Sequence, residues 1–255
     1  MNKLSVVIIT FNEEENIAKC IDSVKEIADE VVVVDSFSTD KTRDIAESKG
    51  ARFIQHKFEG HIQQKNWAKD QASHNYVLSL DADETLSAEL KTAITETKKI
   101  FSSYGYTMNR LNFYCGKPIK TCGWYPDRKL RLWNRAKGEW KGVNPHDKFE
   151  LDEGLNTVHL QGDILHNTYP TKEALLSQVE KFANISAQQM RGKSIVYLLF
   201  KMIFSAPFRF AKNYFFNLGF TEGNAGWEIC YHQSREVFLK YFRAIALKRV
   251  PDKTK

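Results

Sequence analysis

The chain has 255 residues, 42% hydrophobic and 27% charged, a balance that excludes global disorder and suits one large α/β domain or one domain with an appendage. Its net charge of +6 is uneven: residues 191–255 carry twelve Lys and Arg against four Asp and Glu, while residues 1–190 carry 25 against 27. In that last quarter the cations interleave with bulky apolar residues, which argues against a hydrophilic stripe and hence against nucleic acid as a partner. Cys20, Cys115, Cys122 and Cys230 have neither CxxC nor zinc-ligand spacing and read as reduced thiols. The first apolar run meets Glu13 too soon for a secretory signal, so a cytoplasmic location is expected.

In chain order, "LSVVIIT" (4–10) is an apolar, β-rich strand, and Asn12 with Glu15 has the pattern of a capping box opening a helix. "EVVVVDS" (30–36) repeats the pattern, with a helix expected over 40–49, a third strand over 51–56, a helix over 63–73 and a fourth strand over 76–80. Such βαβ repeats imply a parallel sheet with helices on both faces and a ligand site beyond the carboxyl ends of the strands. Asn12, Asp35 and the Asp81/Asp83 pair fall at those ends. If the chain stays extended after Leu80, Asp81 and Asp83 project to the same side, and two such carboxylates repel unless a cation separates them. From 104 on, "YGYTMNRLNFYCG", "RKLRLWN" and "TVHLQGDILHN" read as strands without helices between them. A helix capped by Thr171 is expected to reach Met190, dividing the chain into a catalytic domain, 1–190, and a basic helical region, 191–255.

The ordered segments "VVIITFNEEENI", "VVVVDSFSTDKT", "QKNWA" and "LSLDADE" resemble the nucleotide-sugar-binding half of family 2 glycosyltransferases. "WYPDRKLRLWNR", "GEWKGVNPHDK" and "GDILHNTYP" resemble the bacterial lipopolysaccharide-core β-1,4-glucosyltransferase subgroup. The resemblance implies a GT-A-like, Rossmann-type mixed α/β sheet with a helical C-terminal appendage. It also implies an inverting, metal-dependent transfer of a sugar, glucose by the subgroup, from a UDP-sugar to a hydroxyl of a lipid-linked saccharide. Donor contacts are expected at Thr10, Asn12, Glu14, Asp35, Lys65, Asn66, Asp81, Ala82 and Asp83, and a divalent metal, Mn or Mg, at Asp83, His166 and Asp81. The chain departs from the family pattern after Asp35, where Ser36, Phe37 and Ser38 stand in place of a second acid, Gly and Ser. Asp147 is the expected base that deprotonates the acceptor hydroxyl, with Asp127 and Glu139 as alternatives; Arg128 and Arg131 are candidates to face phosphate.

A competing reading takes Asp81–Thr85, DxDxT after an apolar strand, as the nucleophile motif of a haloacid-dehalogenase-like phosphatase, although no convincing downstream acidic pair accompanies it. Ile195–Phe208 is fourteen residues long and contains Lys201, too short to span a bilayer. It suits a helix lying in the interface of an anionic membrane, the inner face of the plasma membrane; the alternative is an amphipathic helix packed on the main domain, and an oligomer is possible.

Overall fold

The computed structural model describes residues 2–143 and 146–249. It forms two compact units, one of Met1–Leu111 with Asp127–His166 and one of Asn112–Pro126 with Asn167–Lys255. In chain order the elements up to residue 169 are β1 (Leu4–Thr10), α1 (Ile17–Val24), β2 (Glu30–Asp35), α2 (Thr42–Ser48), β3 (Arg52–Gln55), α3 (His61–Gln71), β4 (Tyr76–Asp81), β5 (Glu84–Leu86), α4 (Ala88–Lys99), β6 (Gly105–Tyr114), β7 (Lys117–Pro118), β8 (Asp127–Asn134), β9 (Gly138–Val143), β10 (His146–Leu151) and β11 (Thr157–Tyr169).

In the first unit β3, β2, β1 and β4 pair in parallel, with Ser5 opposite Glu30 and Val77. Alternation along β1 explains why both faces are covered. Leu4, Val6 and Ile8 pack with Ile17, Cys20 and Ile21 of α1 and with Leu90 and Ile94 of α4, whereas Val7 packs with Val32, Val34 and Ala68 of α3. Strands apolar on both sides have no solvent face, which is why they read as unbroken hydrophobic runs. The sheet continues through β8, antiparallel to β4, then β6, β11 and β5. It is therefore mixed, as expected. At Gly162 of β11, φ is 94° and a Cβ would lie 2.3 Å from Leu90 N, so only glycine lets the strand pass the start of α4.

Two local readings change for physical reasons, and one element is new. The Asn12–Glu15 capping box does not form: Asn12 takes φ 54°, its Oδ1 accepts from Thr39 N at 2.8 Å, and α1 starts only at Ile17. Asn tolerates the left-handed region, and the longer-range turn uses its side chain. The chain is not extended through the acidic cluster either. It turns at Ala82–Asp83 and returns as β5, whose Glu84 lies opposite His166 of β11. Finally, the β9–β10 hairpin is absent from the sequence reading. It buries Trp140 and Phe149 with Trp133 of β8 in a separate aromatic cluster, with the Trp133 and Phe149 rings stacked at 3.8 Å.

The second unit contains β7 and three helices, α5 (Lys172–Gln189), α6 (Ile195–Ala211) and α7 (Asn224–Arg249), with a π-helical turn at Lys212–Phe216 and a 3-10 turn at Gly219–Glu222. Thr171 caps α5 by accepting from Ala174 N at 3.2 Å, as the sequence predicts, and Ser194 caps α6. Residue 190, the division taken from sequence, lies inside this unit. Leu175 and Val179 of α5 pack on Ile229 and Cys230 of α7, and Leu198 and Ala206 of α6 pack on Val237, Tyr241 and Ala244. Among the described residues no helix is long and apolar enough to cross a membrane.

Candidate active site

The carboxyl ends of the first unit's strands gather the polar residues singled out in the sequence. After β2, Asp35 is buried and accepts from Ser38 N at 2.8 Å and from the Ser38 hydroxyl, so Ser38, which stands at the family's serine position, holds the one acid that remains, while Ser36 stands where the second acid would be. Ser38 Oγ in turn accepts from Asn12 N at 2.8 Å, and Glu14 accepts from Lys41 N at 3.0 Å. These bonds tie the loop after β1 to the loop after β2. Thr10, the last residue of β1, keeps a buried hydroxyl with no hydrogen-bond partner among the described residues. Gln64 of α3 reaches Ser36 at 3.2 Å and His56 at 2.8 Å, and the His56 ring stacks on Trp67 at 4.1 Å.

The centre of the site is an ion-pair chain. Lys65 of α3 is only 5% exposed, and its Nζ lies 3.2 Å from Asp81 Oδ1 and 2.9 Å from Asp147 Oδ2. The same ammonium sits 4.6 Å from the centre of the Trp140 ring, so hairpin β9–β10 supplies both an aromatic face and a carboxylate. Arg131 of β8, also buried, contacts Asp81 Oδ2 at 3.2 Å and Glu84 Oε1 at 2.9 Å. Glu84 has no exposed surface, and its other oxygen accepts from Asp81 N at 3.0 Å. Burial alone would raise the Asp81 pKa, but the Lys65 and Arg131 charges outweigh it and hold the carboxyl well below the usual range. Burial likewise works against the charge on Arg131, and Glu84 with Asp81 more than restores it.

Asp83 faces elsewhere. Its Oδ2 lies 3.1 Å from His166 Nε2 of β11, so the turn at Ala82 separates the two aspartates into different environments. A carboxylate oxygen and an imidazole nitrogen that each bind a metal at about 2.1 Å, at right angles, stand about 3 Å apart, so this pair suits a shared divalent cation. Asp81 Oδ1 is buried without a hydrogen bond, although Lys65 lies close, so Asp81 is already charge-compensated by protein cations. Among the described residues no group of three His, Cys, Asp or Glu side chains is arranged to hold a metal. Two protein ligands completed by phosphate oxygens and water are the ordinary arrangement for Mg²⁺ or Mn²⁺.

The remaining candidates separate clearly. Asn66 is spent on the hairpin, donating to Trp140 O at 3.0 Å and accepting from Trp140 N at 2.9 Å. Asp127 is tied to Arg110 at 2.9 Å and Lys129 at 2.9 Å, and Glu139 is an exposed partner of Lys141. Arg128 is exposed on β8. Sequence reasoning missed Glu84 as the buried counter-ion of Arg131; its one signal was a third acid directly after DxD.

The family model described as Glycosyl transferase family 2 matches residues 5–106, from β1 to β6. A Rickettsia typhi protein named as an uncharacterized glycosyltransferase is 30% identical over an alignment covering 97% of this chain and 89% of its own. The lipopolysaccharide core biosynthesis glycosyltransferase LpsC of Rhizobium meliloti is 27% identical, with 98% and 95% covered. Among solved structures, the glucosyl-3-phosphoglycerate synthase of Mycobacterium tuberculosis in complex with Mn²⁺, UDP and glucosyl-3-phosphoglycerate aligns at a TM-score of 0.46 and 18% identity, covering 70% of this chain and 75% of that one. The full-length match to a glycosyltransferase and the mixed sheet with DxD at the end of β4 agree with the GT-A-like expectation, displace the phosphatase reading of Asp81–Thr85, and make the chain a member of glycosyl transferase family 2.

Proposed function

We propose that this glycosyltransferase is an inverting, metal-dependent enzyme that moves glucose from UDP-glucose to a hydroxyl of a lipid-linked saccharide of the lipopolysaccharide-core kind. The observation that carries the reading is Lys65 standing in contact with both Asp81 and Asp147. An acceptor hydroxyl is a poor nucleophile until a carboxylate takes its proton, and the leaving UDP accumulates negative charge as the glycosidic bond breaks. Asp147 is the base in this scheme. Lys65 fixes its carboxylate directly beside Asp81, whereas Asp127 reaches the acidic turn only through Arg110, which stands 3.5 Å from Glu84, and Glu139 pairs with the exposed Lys141. A divalent cation bound at Asp83 and His166 would offset the charge on the leaving diphosphate. Asp35, oriented by Ser38, is suited to accept from the donor's uridine or ribose, and the buried Thr10 hydroxyl is a further donor-side group.

The acceptor class is taken from the name of the Rhizobium meliloti relative, and it agrees with the surface of α6. Val196, Phe200, Ile203, Phe204 and Phe208 fall on one side of that helix and are exposed, as are Phe215 and Phe216 beyond it. An apolar stripe flanked by Lys201, Arg209 and Lys212 suits peripheral binding to the cytoplasmic face of a membrane that holds the acceptor. The test is a donor screen by UDP release with Mn²⁺, with Mg²⁺ and with chelator. UDP-glucose should be used best among UDP-sugars and only with metal; full activity in chelator, or preference for another nucleotide, contradicts the proposal.

A further inference from the structure

α6, the π-helical turn and α7 enclose a cavity of about 410 Å³ within the second unit. Arg209, Lys212 and Lys240 line it, with Asn217, Tyr241 and Phe208. Among the described residues none of these three cations forms an ion pair. Lys240 lies over the Tyr241 ring at 5.0 Å, and the acid whose charge reaches it is Glu236, one turn earlier on α7. By contrast Arg235 and Arg243 of α7 are both committed to Glu180. Three cations converging without a shared carboxylate repel one another, an arrangement that an anion relieves. Burial lowers the pKa of the half-buried Lys240; Glu236 opposes that shift, while Arg209 and Lys201 add to it.

Phe208 both lines this cavity and stands 67% exposed on the apolar side of α6, so the cationic hollow opens directly onto the aromatic stripe. We propose that the cavity binds the phosphate group of an anionic lipid, whose acyl chains lie along Phe200, Phe204 and Phe208 of α6. A phosphate oxyanion takes charge-assisted hydrogen bonds from Arg and Lys, while Asn217 adds a neutral polar group. A carboxylate lipid offers fewer acceptor oxygens, and a soluble phosphate gains nothing from the apolar face. The proposal rests on the membrane part of the function above but is separable from the transfer chemistry, because none of these residues belongs to the ion-pair chain of the first unit.

The test is co-sedimentation of the full chain with phosphatidylcholine vesicles doped to equal surface charge with phosphatidylglycerol or with oleate. Wild type should prefer the phosphatidylglycerol vesicles about tenfold or more, and Arg209→Gln/Lys212→Gln should lose that preference. A charge-matched control, Lys19→Gln/Lys25→Gln, should keep it, and millimolar glycerol 3-phosphate should leave wild type bound. Equal binding to both surfaces, or equal loss in both double variants, reduces the effect to diffuse electrostatics and overturns the proposal; complete release by glycerol 3-phosphate overturns it in favour of a free phosphate site. UDP release without acceptor, measured on the same samples, reports separately on the transferase reading and should be unchanged by Arg209→Gln/Lys212→Gln.

Discussion

Asp83→Ala is expected to lower sugar transfer by about 10³-fold or more, because losing a ligand oxygen removes several kcal/mol of charge stabilisation from the transition state. The turn at Ala82–Asp83 and the antiparallel pairing of β5 with β11 bring Asp83 Oδ2 to 3.1 Å from His166 Nε2, and Asp83 has no role in the Lys65–Asp81–Arg131 chain. Its loss should therefore leave the fold intact. Metal-dependent UDP binding, followed by calorimetry, should fall together with the rate, while the thermal midpoint stays within a few degrees. Undiminished activity in Asp83→Ala would contradict the assignment of this turn to metal.

Arg131→Met should act in the opposite way, on stability first. Its guanidinium is 4% exposed and is the nearest counter-charge to Glu84, whose side chain has no exposed surface; Arg110 approaches Glu84 only at 3.5 Å. Removing one partner of a buried pair leaves an uncompensated charge and costs about 3–5 kcal/mol, or roughly 10 °C in Tm for a chain of this size. The same network has a pH signature. Asp81 is held below its ordinary carboxylate value in the fold, so its contribution is complete above the unfolded pKa of about 3.9 and is lost as pH falls towards the folded value. Arg131→Met should weaken that acid-side dependence. A Tm unchanged within 2 °C would show that Glu84 finds another counter-charge.

How far these features can be read from sequence follows from the range of the interactions that fix them. β1, β2 and β4 are buried on both faces and therefore carry continuous apolar runs, and the sequence bounds of β1 coincide with those observed. Thr171 as a helix cap is a local bond of the same kind. β5 has three residues, and the alternation of β9 and β10 around Trp140 and Phe149 is short and rich in charge, so neither carries a periodic signal. Asn12 looks like a local cap, and only contact with Thr39, 27 residues away, diverts it. In the site, residue types and order point to Lys65, Asp81, Asp83, Asp147 and His166. The separation of Asp81 from Asp83, the engagement of Asn66 with Trp140 and the burial of Glu84 against Arg131 depend on β8, β9 and β11 arriving beside β4 and α3. No spacing within 76–86 encodes that.

Asp147→Asn tests the central claim most directly, since it keeps size and polarity and removes only the capacity to take a proton at neutral pH. The Lys65 ammonium retains Asp81 as its partner in this variant, which limits structural damage. Transfer rate and UDP-glucose affinity should be measured on the same preparation with metal present. The account predicts a fall of about 10²-fold or more in kcat with donor affinity changed by less than about threefold. A near-wild-type kcat, or a loss of donor affinity that accounts for the whole loss of rate, would contradict Asp147 as the base that activates the acceptor.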